Sequence, residues 1–196
     1  MAGIKPTREE ALELFRKYNK SDSLYKHALS VEAVMRYMAR KHGEDEEMWG
    51  VIGLIHDLDY EMYPDQHCTM TGKILREEGW PEDYIRAVIS HGYGICSDTE
   101  PQTLLEKTLF AIDELTGLVT TSALVRPSRS VLDMEARSVR KKWTDKKFAA
   151  GVDRSVIEQG AARLGVDLND LISDTIAGMR EAADEIGLRG NPQSLN

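Results

Sequence analysis

The stretch from Met48 to Tyr60, MWGVIGLIHDLDY, limits the fold more than any other segment. Its middle is apolar on every side, so a helix built from it has no face for water and becomes the centre around which others pack. The stretch then ends in His56 and Asp57, an imidazole and a carboxylate side by side. Such groups are costly to bury, and a shared cation is the usual offset. The sequence therefore predicts a core helix, held rigidly, that delivers two metal-capable side chains at its end.

Nearly every other segment has helical spacing. Thr7 and Glu10 form a capping box ahead of ALELFRKYN. A second helix starts near Ser21 to Ser23 and runs until Gly43, with Leu24, His27, Ala28, Val31, Val34, Met35 and Met38 on one face. Glu44 to Glu47 suit the positive end of the core helix, which stops before Pro64. Further helices are predicted over 65–78, from Pro81 to His91, and from about Thr103 to Leu124 with Asp113 near its centre. Arg126, Pro127 and Ser128 interrupt the pattern. Three more helices follow over 130–143, 153–164 and 167–186, and the tail GLRGNPQSLN is expected to fray. No period-two run is long enough for a strand. The fold class is all-α with short connections, and the length suits one domain over 1–196.

Composition narrows the setting. With 41% apolar and 30% charged residues the chain reads as soluble and globular. No segment approaches the ~20 apolar residues of a membrane span, so no membrane partner is expected. The first residues lack a basic segment followed by an apolar run, and Cys68 and Cys96 are isolated cysteines without CxxC spacing. A reduced, cytoplasmic setting without disulfides is expected. The net charge of −8 argues against a nucleic-acid polymer as partner. Between Arg126 and Arg154, however, nine Lys or Arg face four Asp or Glu, a local excess of +5. That run reads either as a solvated helix face or as an attraction for a phosphorylated small molecule. Homo-oligomerisation stays open.

Chemistry gathers on four helices: His27, then His56 with Asp57, then His91, then Asp113. Neutral imidazoles and carboxylates suit Mn, Fe, Co, Ni, Zn or Mg without choosing among them. His56 and Asp57 lie ~100° apart on a helix, so both can reach one ion. Plainer readings exist for each: a satisfied core histidine for His27, a hydrogen-bonded pair for His56 and Asp57, a helix cap for His91. Asp59 and Glu61 follow the pair closely. They could orient a water or protonate a leaving group, or partner the next turn. Arg126, fixed by the Pro127 turn, is the candidate for holding the oxygens of a phosphorylated substrate.

The order H…HD…D on helices, met by His27, His56 with Asp57, and Asp113, resembles the HD superfamily of metal-dependent phosphohydrolases. The resemblance covers about 20–125, and DELTG begins at its last position. It implies an HD-domain helical bundle with additional C-terminal helices over 126–190. It also implies that these four residues bind one divalent metal, with Asp57 in the catalytic machinery, and that the protein is a phosphatase, phosphodiesterase or nucleotide hydrolase. Some members add histidines from two further helices for a second metal, with the HD aspartate bridging. His67 and His91 stand at those places. The cyclic-dinucleotide phosphodiesterases carry another histidine and a GYP motif, where this chain has Gly92 and Tyr93-Gly94. The expected function is hydrolysis of a small phosphorylated metabolite or nucleotide by metal-activated water. A di-iron oxygenase of the same layout, or a helical module with a structural metal, are the alternatives.

Overall fold

The structure, a computed structural model, describes residues 5–192. Its first helix, α1 (Arg8–Tyr18), opens on the expected capping box: Thr7 Oγ1 accepts the Glu10 N–H, and the Glu10 carboxylate accepts the Thr7 N–H. α2 (Asp22–His42) starts at Ser21 and stops at Gly43, whose left-handed backbone (φ 73°) favours glycine. α3 (Glu46–Ile55) is capped by Asp45, which accepts the Met48 N–H, and every residue from Trp49 to Ile55 is buried. A 3₁₀ turn at Pro64–Gln66 precedes α4 (Thr69–Glu77) and α5 (Glu82–Ser90). A second capping box, Thr103 with Glu106, opens the long α6 (Leu104–Leu124). α7 (Ala136–Arg140), α8 (Arg154–Leu164) and α9 (Leu168–Glu181) complete the chain. Among the described residues there is no strand, as the missing period-two pattern predicts.

Three local expectations are corrected, each by a contact that sequence spacing cannot reveal. The helix predicted over 65–78 is broken at His67 and Cys68, the latter with a left-handed φ of 66°. Asp59 causes the break: it binds the His67 ring and also accepts the Thr71 N–H, acting as a distant cap for α4. The helix predicted over 130–143 shrinks to Ala136–Arg140. There Arg126 donates to the Asp133 carbonyl and Arg180 to the carbonyls of Val131 and Met134, satisfying backbone that a helix would otherwise satisfy. The tail is ordered as far as it is described. Leu188 is buried and its carbonyl accepts the Val131 N–H at 2.9 Å, while Asn191 N–H donates to Ser128. Residues 193–196 of the expected frayed tail lie outside the described residues.

The two long helices, α2 and α6, organise the packing. α3 lies on α2 and touches α1 and α5, so the apolar segment does sit at the centre. α8 packs on α6 and α9 on α2. Both crossings are closer than a side chain allows: a Cβ on Gly160 would stand 2.4 Å from the Ala111 Cα, and one on Gly178 2.7 Å from the Val34 Cα. One apolar cluster consequently runs from Ala11 to Leu188. No described helix is long and apolar enough to cross a membrane.

Candidate metal centre

The end of α3 faces the inner sides of α2, α5 and α6, and their polar side chains meet there. His27 Nε2 lies 3.2 Å from His56 Nε2 and 3.0 Å from Asp113 Oδ1. Asp57 Oδ2 stands 3.6 Å from His27 Nε2 and 3.4 Å from His56 Nε2, and Asp113 Oδ1 is 3.3 Å from His56 Nε2. The other oxygen of Asp57 faces a second group: Oδ1 is 3.4 Å from His67 Nε2 and 3.5 Å from His91 Nε2, which are 3.2 Å apart. Donors about 2.0–2.2 Å from a shared ion stand roughly 3.0–3.5 Å from one another. Both groups have that spacing, and Asp57 joins them.

The outward nitrogens decide what the inward ones carry. His56 Nδ1 donates to the Gly53 carbonyl at 2.8 Å, and His91 Nδ1 to the Val88 carbonyl at 2.6 Å. His67 Nδ1 donates to the Asp59 carboxylate at 2.7 Å, and His27 Nδ1 faces the Thr116 hydroxyl. With the ring protons directed outward, four Nε2 lone pairs and two carboxylates converge on one interior. Such an arrangement is repulsive unless a cation or extra protons fill it. The residues present therefore fit a divalent metal.

A family model for the HD domain matches residues 24–118, a span that begins before His27 and ends beyond Asp113. Residues 24–118 form an HD domain. HD domains bind divalent metals and generally serve metal-dependent hydrolases, and the His/Asp groups here can hold such an ion. No curated protein and no solved structure matches the chain significantly.

The electrostatics of this HD domain agree with its donor set. Full burial would lower the His56 pKa, but the charges of Asp57 and Asp113 hold it well above its ordinary value. Burial would raise both carboxyls. The facing imidazoles, His56 foremost, hold Asp57 and Asp113 below the usual carboxylate range instead. For His67, burial works downward and is outweighed by the hydrogen bond to Asp59 and the charge of Asp57. The carboxylates thus draw positive charge inward. A bound divalent ion would supply that charge in place of protons.

The centre forms one wall of a cavity of about 330 Å³, with Tyr60 and Ile95 among the exposed residues of its lining. Of the residues expected at the site, His27, His56, Asp57, His67, His91 and Asp113 are brought together. Asp59 and Arg126 are not on the cavity wall. Asp59 is fully buried with both oxygens occupied, by the His67 ring and by the Thr71 N–H, and so turns away from the cavity. Arg126 is engaged by Asp133 and Ser138. Glu61 accepts the N–H groups of Lys20 and Ser21 ahead of α2.

Sequence reasoning misses three features of the HD domain's surroundings. Glu114 lines the cavity next to Asp113, where burial and that neighbour push its carboxyl up to about 7. Its only sequence signal is adjacency to Asp113. Thr116, one turn on, donates to the Asp113 carbonyl and meets His27. Cys68 and Cys96, expected to be isolated, are free thiols whose sulfurs approach to 2.6 Å beside His67 and His91.

Proposed function

We propose that this protein is a metal-dependent phosphohydrolase acting on a small phosphorylated metabolite or nucleotide. The supporting observation is the convergence of four imidazole Nε2 atoms and two carboxylates, with Asp57 shared between the two groups. His27, His56, Asp57 and Asp113 would hold one ion, and His67 and His91 with Asp57 a second. A bound divalent ion polarises a phosphoryl oxygen and acidifies a coordinated water.

The chain's own groups set the geometry. The Gly53 and Val88 carbonyls and the Asp59 carboxylate fix the rings of His56, His91 and His67, so the ligands do not reorganise on binding. Leu24, Phe110 and Val156 give the cavity apolar walls that limit water to the reacting face. Glu114 has one oxygen on the Asp153 N–H and belongs to neither donor group. It is the carboxyl placed to pass a proton to a departing oxygen.

A second reading, an oxygenase holding two irons on the same six residues, is favoured by one observation. Among the described residues no Lys or Arg lines the cavity at the centre, although a phosphoryl group calls for cations. The two separate in a single experiment. Protein loaded with Mn, Co or Ni is offered a panel of phosphomonoesters, phosphodiesters and nucleotides, and iron-loaded protein is tested for oxygen uptake. Metal-dependent phosphate release is the expected result. Oxygen consumption with a two-iron spectroscopic signal, and no phosphate from any substrate, would overturn it.

A further inference from the structure

A second cavity of about 510 Å³ adjoins the first between α2, α6 and the C-terminal segment, and the two share His27 and Gly117 as common wall. Their charges are opposite. Asp57, Asp113 and Glu114 line the first, which has no Lys or Arg among the described residues; Lys26 and Arg129 line the second. The one carboxylate there among the described residues, Asp22, is exposed and paired with Lys26 at 2.6 Å. Leu124, Ile186 and Leu188 add apolar surface to its lining.

Arg129, which is exposed, differs from the half-buried arginines of the basic segment. Arg126 and Arg154 are committed to Asp133, Ser138 and main-chain carbonyls. The Arg129 guanidinium has no hydrogen-bond or ion-pair partner among the described residues. Its backbone is nevertheless held in a left-handed conformation (φ 50°), which is unfavourable for a non-glycine residue. The tail holds it there: Asn191 N–H donates to the Ser128 carbonyl at 2.7 Å, and Gly190 lies so close to the Arg129 carbonyl that a Cβ would clash. A strained backbone thus presents an unpaired guanidinium to a cavity that opens beside the metal ligands.

We infer that this lobe is the subsite for a second anionic group of the substrate, bound by Arg129 with Lys26. The inference rests on the phosphohydrolase reading and deepens it. The substrate class becomes a phosphoester whose reacting end lies at the His/Asp centre. Its far end, across a short apolar stem, carries another phosphate or a carboxylate.

Phosphonates test this without turnover. Metal-loaded full-length protein is titrated calorimetrically with butylphosphonate, with the diphosphonate of the same chain, and with the matching carboxyalkyl phosphonate. Wild type should bind a bis-anion roughly 10- to 100-fold more tightly than butylphosphonate, the range of a charge-assisted hydrogen bond. The preferred bis-anion identifies the second group. Arg129→Asn tolerates the left-handed backbone, and should erase that preference while leaving metal content and butylphosphonate affinity unchanged; Arg129→Lys should restore part of it. Equal affinity for all three ligands in wild type, no binding of any of them, or a preference that survives in the Lys26→Gln/Arg129→Asn double variant would overturn the subsite. Arg129-dependent binding in a protein that cleaves no phosphoester would leave the subsite standing and remove the reaction class.

Discussion

The helices that carry the metal centre and the segment that follows α6 use their polar groups in opposite ways. In the first region polar groups turn inward, and the carbonyls of Gly53 and Val88 with the carboxylate of Asp59 exist there to aim imidazoles. In the second region cations turn on the backbone itself. Arg154 donates to the carbonyls of Lys142, Asp145 and Phe148, and Arg180 to those of Val131 and Met134. A buried carbonyl left unpaired costs about 1–3 kcal/mol, so irregular turns without helix hydrogen bonds need such donors. Arg126 and Arg154 of the basic run are therefore structural, and the helices before it hold the His/Asp donors of the centre.

That separation can be broken at its seam. Gly178→Val forces a side chain into the Val34 backbone where α9 crosses α2. We expect a loss of about 3 kcal/mol and a fall in Tm of ~6–12 °C, measured by calorimetry. An unchanged Tm would mean that the two regions are not tightly packed. Within the first region, Asp59→Asn should weaken metal binding by about 10- to 100-fold in equilibrium dialysis, because the amide keeps a single acceptor oxygen where the His67 ring and the Thr71 N–H each need one. Were Asp59 a proton donor instead, metal affinity would hold and only kcat would fall.

Smaller effects sharpen the contrast. Arg154→Met removes the donor for four carbonyls, that of Val152 included, and should cost about 1–3 kcal/mol, with faster proteolysis between 141 and 153. Metal content should not change; a parallel loss of metal would merge the two regions. Asp45→Ala removes the cap of α3 and should cost about 1 kcal/mol near neutral pH. The Met48 N–H and then Lys5 hold the Asp45 carboxyl below its ordinary value. A depressed carboxyl stabilises above its unfolded pKa and ceases to as pH falls through the folded one. The Tm gap between wild type and Asp45→Ala should accordingly close in acid, and a gap independent of pH would reject the capping role.

The same contrast explains what the sequence makes legible. Helix starts at Thr7, Asp45 and Thr103 are local, since each cap bonds an N–H three residues on, and they are readable from spacing. The candidate metal donors are readable because burying His56 and Asp57 at the end of an apolar helix has few other justifications. The break at His67 and Cys68 is not readable, because its cause, Asp59, acts from another turn of the chain. The helix predicted over 130–143 fails for a related reason: Arg180, far along the sequence, satisfies the carbonyls that helical bonds would otherwise take. The meeting of Cys68 with Cys96, and the clamp of the tail on Ser128, likewise depend on packing alone.

Elemental analysis of the purified protein, beside that of His56→Ala/Asp57→Ala, tests the central claim most directly. The account predicts a divalent metal in at least stoichiometric amount in wild type. The double variant should contain none, with its helical content by circular dichroism preserved. A folded double variant that keeps its metal, or a wild type that binds none when divalent ions are supplied, would contradict it.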